Sequence, residues 1–375
     1  MTPIFDPAEF EMPPGVAHLC AGGETPLLRR HADAYARYAR DKAAGMPGRS
    51  AQEAVVERVR ARMAALWQVE AGDIGFVSSV AEGVSLLAES LAFRPGDNIV
   101  LDVKEYPSVA APFAMKRGGP ALRIAEGQAA GRLEALVDER TRVIAVSAVS
   151  YLNGERFDLA PLRALADRVG ALLVVDFTQA AGYLRIEAGI ADFAFAASYK
   201  WLLGVTGVAT AYWNRARQPG WTPGSAGWHS LDSMARPDYA GPLALRPDAL
   251  RFTRGNPAHL PLYILDGALD YLAQHDAAAL EAHVLGLTAA LRQGLAAAGI
   301  ASTTPAEPSR QAASVTVDTA GSEALVAALE DRGVMAWGGR GRIRFSFHGY
   351  NGAEDLDRLL QDFPRLWRES QRAAA

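Results

Sequence analysis

Between Ala171 and Gly207 the chain reads ALLVVDFTQAAGYLRIEAGIADFAFAASYKWLLGVTG, with two short apolar runs that each lead to a charged residue. ALLVVD is apolar, β-branched and closed by an acid, the pattern of a strand buried on both faces of a parallel sheet. It delivers Asp176 to the carboxyl edge of that sheet, where ligands of open α/β folds collect. ADFAFAAS reads as a second strand, and Lys200 stands just past its end between Tyr199 and Trp201. A lysine held among aromatic rings is poorly hydrated, so its pKa is expected to fall and its amine to attack carbonyls.

An acid and a lysine at neighbouring strand ends match what pyridoxal 5'-phosphate requires. The lysine forms a Schiff base, and the carboxylate pairs with the protonated ring nitrogen, keeping the ring an acceptor of electrons from the substrate's alpha carbon. Gln179 follows Asp176 closely enough to reach back toward the ring hydroxyl. A plainer reading has Asp176 capping the next helix and Lys200 as a solvated loop side chain, and spacing alone leaves both open.

DFTQ, followed by SYKW and LLGVTGVAT, resembles the class V aminotransferase family of fold type I pyridoxal phosphate enzymes. That family also holds cysteine desulfurases, kynureninases and isopenicillin N epimerase-like proteins. The similarity runs from about Leu19 to the C-terminus. It implies that Lys200 is the Schiff-base lysine, with Tyr199 beside it, that Asp176 partners the ring nitrogen, and that Gln179 partners the ring oxygen. It also implies an α/β fold, a large domain with a mainly parallel, seven-stranded type of sheet plus a small α+β C-terminal domain. The expected division is an N-terminal arm over 1–18, the large domain over 19–259, and linking helices with the small domain over 260–375. A homodimer with active sites at the subunit interface is expected from the resemblance, not from composition.

Composition narrows the partners. Of 375 residues, 50% are hydrophobic and 21% charged, ordinary for a globular chain with a large core. A net charge of −4 without a dense basic run argues against nucleic acid or an anionic membrane surface, and for a small molecule. Cys20 is the only cysteine, so no internal disulfide can form. With no signal-peptide pattern and no apolar run of about 18 residues, the chain is expected to be cytoplasmic. No metal is assigned.

In chain order, HLCAGGETPLL carries paired glycines that permit close backbone approach to a ligand, in a region the family uses to line the substrate pocket. Cys20 within it reads as a small buried hydrophobe. A helix is expected over about Ala51–Trp67. The strand Ile74–Val77 then gives way to SSVAEGVSLLAESLAF, where serines signal an N-cap and the helix start offers free N–H groups to an anion. The resemblance assigns the cofactor phosphate to this turn, at Ser79, Val80, Ala81 and Glu82. Relatives carry threonines where this chain has Val80 and Ala81, leaving backbone amides and Ser79 to hold the phosphate.

By the same resemblance Tyr106 stacks on the ring, and Ser150, Tyr151 and Asn153 are candidates for lining its pocket. The irregular segment QPGWTPGSAGWHSLDSMARPDYAGP reads as a functional loop, whose GWHS resembles a kynureninase-like element and gives Trp228 a phosphate contact. His229 beside it is expected at the surface. RFTRGNPAHLP resembles the family's turn toward the neighbouring subunit's cofactor, with Asn256 at its variable place. Arg344 offers a planar fork that binds a carboxylate in two places, and the resemblance gives it the substrate's α-carboxylate. Arg340 and Arg342 are weaker candidates for a second anionic group.

The expected activity is therefore an aminotransferase, with a pyridoxal phosphate lyase or epimerase as alternative. A non-catalytic cofactor-binding protein would not need both Lys200 and Arg344, and no G-x-G-x-x-G follows a strand to suggest a nicotinamide enzyme. A cysteine desulfurase is excluded on the expectation that its thiol belongs in the stretch GVMAWGGRGRIR, which has no cysteine.

Overall fold

Apolar runs alternating with helical periodicity become a central sheet flanked by helices. The computed structural model describes residues 1–126, 130–232, 239 and 241–374. A short strand β1 (Ala17–His18) and helices α1 (His31–Ala43) and α2 (Met46–Trp67) come first. The sheet is then laid down by β2 (Ile74–Val77), α3 (Val80–Ser90), β3 (Asn98–Asp102), α4 (Pro107–Ala114), β4 (Ala121–Ala125), α5 (Ala130–Glu134) and β5 (Thr141–Ser147). It is completed by α6 (Ala160–Val169), β6 (Leu172–Asp176), β7 (Phe193–Ala197) and β8 (Ala209–Trp213).

The seven strands lie in the order β2-β8-β7-β6-β5-β3-β4. All neighbours run parallel except the two pairs made by β8, so the expected mainly parallel sheet is what forms. β8 is antiparallel because the turn at Thr206–Gly207 returns the chain beside β7 without the helical crossover that a parallel strand needs. Along β6, Leu173 and Val175 face one buried cluster and Val174 the other, which is why the run is apolar without alternation. α2 begins five residues earlier than the expected Ala51, because Pro47 sits in the first turn, where its missing N–H costs nothing.

Beyond β8 an irregular stretch leads to α7 (His259–Leu272) and α8 (Ala277–Ala297). Part of the expected functional loop, residues 233–238 and 240, lies outside the described residues. The chain closes with β9 (Ser314–Asp318), α9 (Ser322–Glu330), β10 (Val334–Met335), β11 (Trp337–Gly339), β12 (Arg342–Ser346) and α10 (Ala353–Ala374). β11, β12 and β9 form an antiparallel sheet, while β1 pairs in parallel with β10. The N-terminal residues cover the chain's own C-terminal half: Phe5 and Phe10 are buried, Phe5 against His348 and Phe10 against Tyr350. Among the described residues no helix is long and apolar enough to cross a membrane.

Candidate active site

The carboxyl ends of β5 and β6, the turn after β7 and the start of α3 form a cleft open to solvent, the concave kind of place where small ligands bind. Register pairs Ser147 at the end of β5 with Asp176 at the end of β6, and both line the cleft together with Lys200. Lys200 is held by a tight turn in which Leu203 N–H bonds the Lys200 carbonyl at 2.8 Å, and Leu203 itself sits at φ +57°. A bulky residue in that region is strained, a cost tolerated where the surroundings over-determine the backbone. A Cβ at Gly182 would fall 2.1 Å from the Trp201 carbonyl, so that glycine is what lets the turn pack down.

Lys200 Nζ is buried and, among the described residues, makes no hydrogen bond or ion pair. It faces the rings of Tyr199 at 5.4 Å and Tyr106 at 5.8 Å. Burial first, then the charge of Arg344, push its pKa down to about 8, against the opposing pull of Asp176 and Glu24. The expected depression of the lysine is present, though the aromatic surroundings are joined by an arginine as its cause. Asp176 is buried too. Burial pushes its carboxyl up, while hydrogen bonds from Thr178 and the charge of Lys200 draw it down. A buried carboxylate without a full counter-charge suits a cationic ring nitrogen, and an unpartnered, easily deprotonated amine suits an aldehyde. The donor set thus fits pyridoxal phosphate.

Gln179 lines the cleft, with its amide nitrogen donating to the Gly22 carbonyl at 3.0 Å. Tyr106 and Tyr151 also line it and meet edge to face at 4.9 Å. Ser79 and Val80 face the cleft at the start of α3, and Ala81 follows within the helix's first turn. Ser79 caps α3, its hydroxyl accepting from Glu82 N–H at 3.1 Å. Asn153 accepts from Glu155 N–H and donates to the distant Thr303 carbonyl, and Ser150 accepts from Leu152 N–H.

Arg344, on β12, lies outside the lining of this cleft but close enough for its charge to act on Lys200. It is 5% exposed, one guanidinium nitrogen donates to the Tyr151 carbonyl, and its Nε is buried without a partner. Burial pushes its pKa down to about 10. Its head lies over Trp337 at 5.1 Å, and Arg342 approaches the same ring at 5.7 Å. Of the paired glycines of the N-terminal segment, Gly22 finds its reason here, since a Cβ on it would lie 2.6 Å from Ser346 Oγ and 3.2 Å from the guanidinium. Thr25 ties this segment to the lysine turn, its hydroxyl bonding the Lys200 carbonyl at 3.0 Å. Cys20 is held between them by a bridge to Ser346, close enough to Arg344 to feel its charge, but burial pushes the thiol up to about 11.

Trp228 and Asn256 are brought together outside the lining of this cleft. Arg49 of α2 donates to Asn256 Oδ1 at 2.6 Å and lies 5.6 Å from the Trp228 ring, which is 40% exposed. His229, expected at the surface, is instead buried: it and His259 face the Glu53 carboxylate at 3.7 and 3.9 Å. Sequence reading also missed Glu105, since the acid before Tyr106 gave no sign of its partners. Its carboxylate accepts from Ser147 N–H and Tyr106 N–H, both at 2.7 Å, and burial raises its pKa to about 7.

The family model described as Aminotransferase class-V matches residues 25–359. A cysteine desulfurase of Dickeya dadantii is 32% identical over 243 residues, covering 61% of this chain and 58% of its own length. The chain therefore spans less than two thirds of that relative. A probable cysteine desulfurase of Pseudomonas aeruginosa is 28% identical over 344 residues, 85% of this chain and 84% of its own. In fold, the chain is similar to an apo cysteine desulfurase of Thermococcus onnurineus NA1, at a TM-score of 0.88 and 21% identity over 98% of this chain and 100% of that one. It is also similar to the cystine C–S lyase C-DES in complex with its product cysteine persulfide, at a TM-score of 0.84 and 21% identity over 94% of this chain and 98% of that one.

These relatives correct two expectations. The aminotransferase reading gives way, because the matching relatives are named for carbon–sulfur chemistry. The exclusion of a cysteine desulfurase falls with it. That exclusion rested on one stretch lacking a thiol and on Cys20 read as a small buried hydrophobe, whereas the segment carrying Cys20 folds against Arg344 and the lysine turn.

Proposed function

The chain belongs to the class V aminotransferase family, and on that premise we propose that it is a pyridoxal phosphate enzyme that eliminates sulfur from a cysteine-type amino acid. The cofactor, when bound, supplies an electron sink for the bonds of the substrate's alpha carbon. In this reading Lys200 Nζ carries the cofactor and, once released by the substrate amine, takes the proton from the alpha carbon. Asp176 keeps the ring nitrogen protonated, and Gln179, Tyr106 and Tyr199 hold the ring in place. Arg344 clamps the substrate carboxylate through the face of its guanidinium left unpartnered at Nε. The amides of Ser79, Val80 and Ala81 receive the phosphate. Trp228 and Asn256 serve a second copy of the chain in a homodimer, which their partly exposed cluster around Arg49 supports. The cytoplasm is the compartment proposed, in keeping with a lone cysteine.

The observation that supports the elimination reading is the cleft itself, where the buried amine of Lys200, its pKa drawn down to about 8, faces the rings of Tyr199 and Tyr106 beside the buried Asp176. The alpha proton goes to Lys200, the carbon–sulfur bond breaks, and sulfur leaves with the bonding electrons on the departing half of the substrate. Hydrolysis of the remaining three-carbon fragment gives pyruvate and ammonia. A second reading, transfer of sulfur to Cys20, is favoured by that thiol's place beside Arg344, although it would have to ionise against burial. Incubation with L-cystine should give pyruvate and a persulfide in equal amounts. Alanine in place of pyruvate, lost in Cys20→Ser, would support the second reading. Neither product from cystine or cysteine would sink both.

A further inference from the structure

The turn that opens α3 lacks hydroxyls at Val80 and Ala81, and it also carries an acid in the helix's first turn. Glu82 Oε2 accepts from both the N–H and the hydroxyl of Ser78, each at 2.6 Å, so a carboxylate already occupies those donors. These bonds hold the Glu82 pKa below the usual carboxylate range despite partial burial, leaving it ionised. A phosphate ester entering such a turn meets a like charge at close quarters, which opposes the favourable field of the helix start. Arg254 answers that charge. Its Nη2 donates to Glu82 Oε1 at 2.8 Å, and Arg254, Glu82 and Ser78 line a second cavity that shares Ser78 and Val208 with the cofactor cleft.

We infer that Arg254 is a phosphate-recognition residue: by pairing with Glu82 it cancels the acid of the hydroxyl-poor turn and brings a guanidinium to the edge of the phosphate site. The inference rests on the reading that the start of α3 receives the cofactor phosphate. Arg254 comes from the turn before Asn256, far from α3 in sequence, so the compensation is a tertiary one.

The test is titration of the apo protein with pyridoxal phosphate and with pyridoxal, which lacks the phosphate, followed by cofactor absorbance. The parent should prefer the phosphorylated form. Arg254→Met should weaken pyridoxal phosphate about tenfold or more while leaving pyridoxal nearly unchanged, as expected for a lost charge-assisted partner. Arg254→Lys, which keeps the charge, should stay near the parent. Adding Glu82→Gln to Arg254→Met should recover most of the loss, because the charge needing compensation is gone. Equal losses for both ligands, or no recovery in the double variant, would overturn the role of Arg254. A parent that does not prefer the phosphorylated form would overturn the phosphate assignment to α3, and the inference with it.

Discussion

Lys200 sets the pH response of the site. A free amine is needed to capture an aldehyde, and this amine has a pKa of about 8 because burial and Arg344 outweigh Asp176 and Glu24. Uptake of pyridoxal phosphate by the apo protein should therefore quicken as pH rises through about 8 and level off above it. A rate still rising steeply near the ordinary lysine pKa would contradict the depressed value. Asp176→Asn should leave cofactor binding in place but lower turnover by roughly two or more orders of magnitude, the size typical of a lost charge-stabilising group. Near-normal turnover would remove Asp176 from the chemistry. Arg344→Ala should raise substrate KM by the equivalent of about 2–4 kcal/mol, as when a desolvated carboxylate loses a bidentate partner. An equal loss for amines without a carboxylate would point to a structural role instead. The places of these three residues were legible because strand ends and motifs mark them, and the variants above test their roles. Arg254 and His229 were not, since each takes its meaning from an acid, Glu82 or Glu53, supplied by a distant part of the chain.

At the scale of elements, the lysine turn is bolted to the strand end that follows Arg344. Trp201 Nε1 donates to the Phe347 carbonyl at 3.0 Å, His348 Nε2 donates to the Trp201 carbonyl at 3.0 Å, and His348 Nδ1 accepts from Gly349 N–H at 2.8 Å. All of this is buried. His348→Leu leaves the Trp201 carbonyl and the Gly349 N–H unpaired and should cost about 2–4 kcal/mol, read as a lower midpoint in urea unfolding. An unchanged midpoint would show that the two halves are not coupled through this residue. Strands buried on both faces, such as β6 and β7, could be read from their apolar runs. The early start of α2 could not, because Pro47 reads as a breaker until its place in the first turn is known. Nor could the contact of the N-terminal segment with the lysine turn, which depends on Thr25 meeting a carbonyl 175 residues further along the chain.

Across the whole molecule, buried neutral histidines make the fold sensitive to acid. Burial lowers His348 to about 3 and His31 to about 4. The unfolded chain binds protons at these sites near pH 6.5, the folded chain only well below it, so stability is complete above that pH and is lost as pH falls toward 3–4. Each site adds a slope of up to about 1.4 kcal/mol per pH unit, and His31→Gln should make the acid limb of the urea midpoint shallower. An acid limb as steep as the parent's would contradict this. The molecule's organisation converges on one amine, reached by the N-terminal segment, the parallel sheet and the C-terminal strands together. Its position is tested most directly by loading the protein with pyridoxal phosphate, reducing with borohydride and mapping the modified peptide by mass spectrometry. The cofactor should be found on Lys200 alone, and on no residue of a folded Lys200→Ala variant. An adduct at another lysine, or one that survives in that variant, would contradict the account.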